Sequence, residues 1–257
     1  MAEAILSRLL AANVFSSDQL LISDPSQLRR QFWAEQYRIQ TTHDNAAVVA
    51  ACQLLLLATK PQVLDQVAVD LVLGPDQGRP SLMLSILAGV PLAKLQRLLP
   101  GIPVVRAMPN TPATVGAGIT AIAYAADVSA EQKLQAEAIF GAVGEVLEVP
   151  EALMNAVTGL SGSGPGYIAV IIEALTDGGV AVGLSRQVAT RLAIQTVLGT
   201  AQLLQTSGIH PAQLKDQVTS PGGTTIAGIA ALEQAGLRAA LINAVKAACD
   251  RSQALGG

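Results

Sequence analysis

Apolar residues fall at helical spacing over residues 2–12, where Ile5, Leu6, Leu9 and Leu10 share one face. A short apolar run at 20–23 is stopped by Asp24-Pro25 and predicts a buried strand. The alternation then repeats: a helix over 26–35, a strand over 37–40, and a helix over 44–51. Residues 54–58 hold four leucines with no polar face, as a central parallel strand should. Pro61 is tolerated in the first turn of a helix over 61–72. Strands over 82–86, 104–108, 119–124 and 146–149, with helices over 92–99 and 130–143, complete the pattern. This order predicts the α/β fold class, with a doubly wound, Rossmann-type parallel sheet.

Beyond Pro150 the strand pattern stops. Residues 151–257 read as helices broken by Gly/Pro punctuation at 159–166, 183–185, 207–211, 220–223 and 236. A boundary near Pro150 gives a Rossmann-type domain over 1–150 and an all-helical domain over 151–257. The helix over 167–182 is apolar nearly all round, so it needs cover on every side. A small helical domain supplies little of that cover, and packing against a second subunit is expected.

Such a sheet domain usually opens with a strand, then G-x-G-x-x-G/A, then a helix whose N-terminus faces the pyrophosphate. Here a helix comes first, and residues 1–4 sit where the tail of that motif would lie. The expectation is that Met1 is an internal methionine of a longer chain. The chain as given would then bind nucleotide weakly and leave sheet edges unpaired, with upstream residues restoring activity.

Composition removes several function classes. Hydrophobic residues make up 51% and charged residues 14%, which predicts a well-packed globular protein, and aromatics at 3% leave an aliphatic core. The net charge of −3, with no basic run, argues against nucleic-acid binding. The longest apolar stretch, 167–184, is interrupted by Glu173, Asp177 and glycines, so no membrane span is expected. No signal peptide is apparent, and Cys52 and Cys249 read as free thiols, which suits the cytoplasm. The only histidines, His43 and His210, belong to no metal-ligand spacing, and there is no G-x-S-x-G elbow.

Three segments carry candidate chemistry. The run GLSGSGPG at 159–166 precedes the apolar helix, with Ser163 or Gly164 as cap and Pro165 as first residue. It reads either as a tight connection or as a close approach to a backbone or ligand. The run TSPGGTTI at 219–226 leads into a helix over 226–234. Its glycines free backbone N–H groups, its hydroxyls add donors, and the helix end is partly positive, all of which suit a carboxylate. An ordinary capped turn competes evenly with that reading. Thr59-Lys60-Pro61 lies just past the carboxyl end of a parallel strand, where such folds bind ligands, though Lys60 also fits a plain surface lysine.

The string LKDQVTSPGGTTIAGIAALEQ at 214–234 closely resembles the signature of pyrroline-5-carboxylate reductases. The resemblance continues through ATKP at 58–61, SILAGV at 85–90, RAMPNTPA at 106–113, VTGLSGSGPGY at 157–167 and HPAQLKD at 210–216. It implies a Rossmann domain, a helical dimerisation domain and a homodimer or larger homo-oligomer. It further implies reduction of (S)-1-pyrroline-5-carboxylate to L-proline, the last step of proline biosynthesis, by hydride transfer from NADPH or NADH. The family's active site lies between the Rossmann domain of one subunit and the helical domain of the other. Carried onto this chain, Ser220, Gly223 and Thr224 hold the substrate carboxylate, and Thr225 is the catalytic residue that hydrogen-bonds the ring nitrogen. Asn45 falls near the adenosine ribose, Ala58, Thr59 and Lys60 at the end of the central strand, and Asn110 near the nicotinamide.

Asp24 follows the second strand of the expected fold, where an acid takes the ribose hydroxyls of NADH and would repel a 2′-phosphate. Arg29 and Arg30 either fold back to compensate or remain surface arginines. Two other functions compete. A β-hydroxyacid-type dehydrogenase would need a catalytic lysine, and the helical part offers only Lys215 and Lys246. A non-catalytic, oligomerising or ligand-binding homologue would fit a chain without its nucleotide loop.

Overall fold

The computed structural model describes residues 1–71 and 78–256. Two compact units form, Met1–Ser163 with Lys246–Gly257, and Gly164–Val245. In chain order the first contains α1 (Ala2–Ala11), β1 (Leu21–Ser23), α2 (Gln27–Tyr37), β2 (Gln40–Thr42), α3 (Asn45–Ala51) and β3 (Leu54–Leu57). There follow α4 (Leu64–Asp70), β4 (Leu82–Ser85), α5 (Leu92–Leu98), β5 (Val104–Met108) and β6 (Gly118–Tyr124). The unit's main run ends with α6 (Ala130–Gly141), β7 (Gly144–Glu148) and α7 (Met154–Val157).

This is the mixed α/β, Rossmann-like architecture that the strand–helix alternation predicts. β3 to β7 form one sheet in sequence order, and β1 pairs with β2 in a second, parallel one. The core gathers on β4, whose four residues are all buried, on Val104 and Val105 of the neighbouring β5, and on Ile122 of β6. Ile5, Leu64, Leu95 and Phe140 cover the sheet from helices.

Several elements depart from the sequence reading, each for a local reason. The sheet is not wholly parallel: β6 runs antiparallel to β5, pairing Val105 with Tyr124 and Met108 with Ala121. The stretch between Met108 and Gly118, mostly the 3-10 turn Thr111–Val115, is too short for a parallel crossover. β3 carries the four leucines, yet it is an end strand, with Leu54 and Leu56 only half-buried. Residues 37–39 are not strand. α2 runs on to Tyr37, whose ring packs on Trp33 one turn earlier at 5.3 Å. Arg38 then ends the helix in the left-handed conformation at φ 57°, and β2 starts only at Gln40. The helix expected over 61–72 is a 3-10 turn, Pro61–Val63, followed by α4, and Val72 lies outside the described residues.

The glycine-rich run at 159–166 is helical, not a loop. Thr158–Gly162 forms a π-helical turn in which the Ser163 N–H reaches the Thr158 carbonyl at 2.9 Å. Hydroxyls hold it: Thr158 Oγ1 donates to the Met154 carbonyl and Ser161 Oγ to that of Val157. Gly162 lies against Met108, where a Cβ would sit 2.5 Å from the methionine methyl. Gly162 thus serves close approach, and π-turns often mark functional sites.

The second unit is helical. α8 (Gly164–Ala181) and α9 (Arg186–Ser207) pack together, so close at Gly179 that a Cβ there would lie 2.9 Å from the Ala189 Cβ. Gly183, at φ 103°, turns the chain between them, and Ser185 caps α9 by accepting from the Val188 N–H. Arg186 pairs with Asp177 across this turn. α10 (Pro211–Gln217) and α11 (Thr224–Gln234) follow, and α12 (Leu237–Gly256) begins here and ends in the first unit, where Ser252 Oγ bonds Asn155. The apolar surface of α8 and α9 is largely bare in the single chain: Val170 is 64% and Leu192 54% exposed. Among the described residues, no single helix is long and apolar enough to cross a membrane.

Candidate active site

The sequence-predicted residues fall in both units, and each half has its own geometry. In the sheet unit they gather at carboxyl ends of strands. Asp24 directly follows β1, and its Oδ1 accepts from the Ser26 N–H at 2.8 Å, closing the turn into α2. Ser26 caps that helix, accepting from the Arg29 N–H at 3.4 Å. Ala58, Thr59 and Lys60 follow β3: Ala58 and Thr59 are half-buried, and Lys60 is exposed at the start of the 3-10 turn.

Asn45 opens α3 behind the cap Asp44, and its Nδ2 donates to Asp70 Oδ2 on α4 at 2.9 Å. Asn110 follows β5 and is 9% exposed. Its Oδ1 accepts from the Ile119 N–H at 3.0 Å, which fixes the amide and leaves its NH2 as the available donor.

Two hydroxyl oxygens here, Ser23 Oγ and Thr59 Oγ1, are buried without a hydrogen-bond partner among the described residues. Buried polar atoms are rarely left so, and an orphan in a native structure asks for a partner. Ser23 ends β1 and Thr59 lies just past β3, in the region outside carboxyl strand ends where α/β sheets bind nucleotides. The donor set therefore fits a dinucleotide. Ser23 had no sequence signal, because nothing local shows that its hydroxyl lacks a partner.

A partly buried ion pair supports this half. Arg106 on β5 is 4% exposed, and its Nη1 meets Glu151 Oε1 at 3.4 Å. Burial pulls the guanidinium's pKa down, and the Glu151 charge and hydrogen bond push it back up. The same carboxylate oxygen accepts the Leu92 N–H, the first of α5, which Pro91 leaves without a side-chain cap. A lone arginine in an otherwise apolar strand is the signal that could have pointed to a buried partner. Nothing in the sequence names Glu151.

In the helical unit, α10 leads into the hydroxyl-rich loop. His210 caps α10 with Nδ1 accepting from the Ala212 N–H, and Gln213 returns the bond to the His210 N–H. Thr219 Oγ1 donates to the Lys215 carbonyl and anchors the loop's start. Ser220 to Gly223 then form a turn closed by the Gly223 N–H on the Ser220 carbonyl at 3.0 Å. Gly222 sits at φ 67°, which favours glycine, and a Cβ on Gly223 would lie 2.2 Å from Ser220 Oγ, so a side chain there would displace that hydroxyl.

α11 starts at once, with Gly223 as a cap that offers no side-chain acceptor. The first-turn N–H groups are therefore open, beside the exposed hydroxyls of Ser220 and Thr224 and the half-buried Thr225. Amides, hydroxyls and a positive helix end together are chemistry that suits an anion. Ser220, Gly223, Thr224 and Thr225 lie together at the turn into α11.

Known proteins match along the whole chain. Residues 151–255 fit the family model for pyrroline-5-carboxylate reductase dimerisation, and residues 1–89 fit that for NADP oxidoreductase, coenzyme F420-dependent. The pyrroline-5-carboxylate reductase of Synechocystis is 54% identical, over 100% of this chain and 95% of its own length. The chain belongs to the pyrroline-5-carboxylate reductase family.

The enzyme of that name from Arabidopsis thaliana is 40% identical, over 99% of this chain and 92% of its own. Among solved structures, the Plasmodium falciparum reductase with NADP bound superposes with a TM-score of 0.87 at 30% identity, covering 99% of this chain and 94% of that one. The Streptococcus pyogenes reductase reaches 0.88 at 32%, covering 99% and 95%. Membership makes this chain an oxidoreductase, and the reductase fold extends over both of its units.

Proposed function

We propose that this chain reduces (S)-1-pyrroline-5-carboxylate to L-proline with NADPH, closing proline biosynthesis. The observation that carries the reading is the start of α11, where amides without a side-chain cap stand beside the hydroxyls of Ser220, Thr224 and Thr225 at a turn whose left-handed Gly222 favours glycine. A cyclic imine is already electrophilic, so little is required beyond orientation and charge placement. Ser220, Thr224 and the N–H groups after Gly223 hold the substrate carboxylate. Thr225 places its hydroxyl on the ring nitrogen and fixes the plane of the C=N bond.

When bound, NADPH supplies the hydride to the C=N carbon. Thr59, Ser23 and the amide of Asn110 hold the nucleotide, with Ala58 and Lys60 along the same strand end, Asp24 at the ribose, and Asn45 on α3 beside it. The nitrogen's proton comes from solvent, and no histidine is needed. The setting is the cytoplasm, where Cys52 and Cys249 persist as the free, half-buried thiols they are here.

Thr225→Ala is expected to lower kcat/KM for the imine about 10- to 100-fold, or roughly 1–3 kcal/mol, while far-UV signal and nucleotide affinity stay put. Unchanged kinetics would remove Thr225 from the mechanism.

Residues 151–257 serve as the dimerisation and substrate-binding part of a homodimer or larger homo-oligomer. The bare apolar side chains on α8 and α9, together with Val182 just past α8 at 82% exposure, support this. Light scattering at micromolar concentration should give at least twice the 26.4 kDa chain mass. A stable folded monomer would contradict the assembly.

A further inference from the structure

Met108 is the last residue of β5 and is half-buried. Its backbone is fixed by pairing with Ala121 on β6. Its side chain lies against Gly162 in the π-helical turn Thr158–Gly162. A Cβ on residue 162 would meet the Met108 methyl at 2.5 Å, but Thr158 Cγ2 only at 3.6 Å and Met108 Cγ at 3.9 Å. The room left by the missing side chain is therefore taken up by the tip of Met108. Backbone freedom is not the reason for this glycine, since Gly162 is not among the glycines with positive φ.

The turn that receives Met108 is itself held. Thr158 Oγ1 donates to the Met154 carbonyl at 2.9 Å and Ser161 Oγ to the Val157 carbonyl at 3.2 Å. Wide turns of this kind are rare and often sit at functional sites.

From Met108 the chain is stiff. Pro109 locks its own φ and keeps the residue before it extended. Asn110 comes next. Its carbonyl accepts the Ala113 N–H at 3.1 Å and its Oδ1 accepts the Ile119 N–H at 3.0 Å. These two bonds orient the amide within its own loop. The Met108 tip on Gly162 ties the start of that loop to the turn at 158–162.

We propose that Met108, seated on Gly162, is a positioning residue for hydride transfer: it sets where Asn110 presents its NH2 to the nicotinamide. It takes no part in moving the hydride or the proton. This rests on the reading above, in which Asn110 meets the nicotinamide.

Gly162→Ala is the variant that tests it. Its backbone tolerates a side chain, and the atom in the way is the end of a flexible one, so the chain should fold with the Met108 tip displaced. With saturating NADPH, kcat should fall about tenfold while the KM for the imine stays within about twofold. The primary isotope effect from NADPH deuterated at the transferred position should rise. Affinity for NADPH should fall severalfold, and that for 2′-phospho-ADP-ribose, which lacks the nicotinamide, should stay within about twofold. Gly162→Ala combined with Met108→Leu should regain most of kcat, because leucine ends one atom short of the clashing methyl. A merely structural effect would move both ligands alike and leave the isotope effect where it was.

Unchanged kcat and isotope effect in Gly162→Ala, or equal losses for both ligands, overturn the proposal, while imine reduction by the wild type keeps the proposed function standing. A wild type that reduces no imine removes that function, and the two-ligand comparison then still decides for or against the seat. A wild type that binds neither ligand overturns both. If Gly162→Ala does not fold, Met108→Leu alone should lower kcat about threefold with 2′-phospho-ADP-ribose binding unaffected. Wild-type kinetics in that variant then count against the proposal.

Discussion

Gly144→Ala is expected to remove about 4 kcal/mol or more of stability, enough to leave little folded protein at 37 °C. Gly144 starts β7 at φ 145°, a conformation that L side chains rarely adopt. Its register partner on β6 is Gly118, and a Cβ on residue 144 would lie 1.9 Å from the Gly118 carbonyl oxygen. No rotamer relieves a clash between a Cβ and a backbone atom, so the β6–β7 pairing must open at that end. Gly118 is itself hemmed in: a Cβ there would meet backbone atoms of Ala113 and Val143 at 2.9 Å. Urea denaturation gives the measurement, and a variant losing less than about 1 kcal/mol would show that the strand shifts to accommodate the methyl.

Glu151→Ala is expected to lower stability by about 3 kcal/mol. Removing one partner of a buried pair costs roughly 3–5 kcal/mol because the other charge is stranded, and the 36% exposure of the Glu151 side chain places the loss at the low end. The first N–H of α5 loses its acceptor as well, a cap-like contribution of about 1 kcal/mol. The double variant Arg106→Met with Glu151→Ala should recover part of the loss, since no charge then remains buried. A double variant less stable than the single one would mean that Arg106 contributes by packing and not through this pair.

Element types were largely legible, because a period of two or of 3.6 in the apolar residues reports which face is buried. The failures share a cause. Tyr-Arg-Ile at 37–39 looks like a strand until Tyr37 is seen to pack on Trp33, which extends α2 past the propensity signal. The glycines at 159–166 look like a loop until Thr158 and Ser161 tie their hydroxyls to carbonyls one turn back. The direction of β6 is set by the short reversal after Met108, not by any pattern within the strand.

The candidate site divides in the same way. Ser220 to Thr225 are consecutive, so their turn chemistry is written in one string. The orphaned hydroxyls of Ser23 and Thr59, the seat of Met108 on Gly162 and the partner of Arg106 are tertiary facts. Each depends on what lies, or does not lie, within about 3 Å of an atom in the folded chain, and one-dimensional spacing does not carry that.

The bare apolar faces of α8 and α9 bear on how this protein melts. Only Thr176 on α8, and Ala189 and Ala193 on α9, are buried within the single chain, so intrachain packing supplies little of what holds these helices. In the assembly proposed above, the rest of their free energy comes from association and varies with the logarithm of chain concentration. The melting temperature of the helical unit is then a property of a solution at stated concentration, not of the chain, and dilution alone acts as a denaturant.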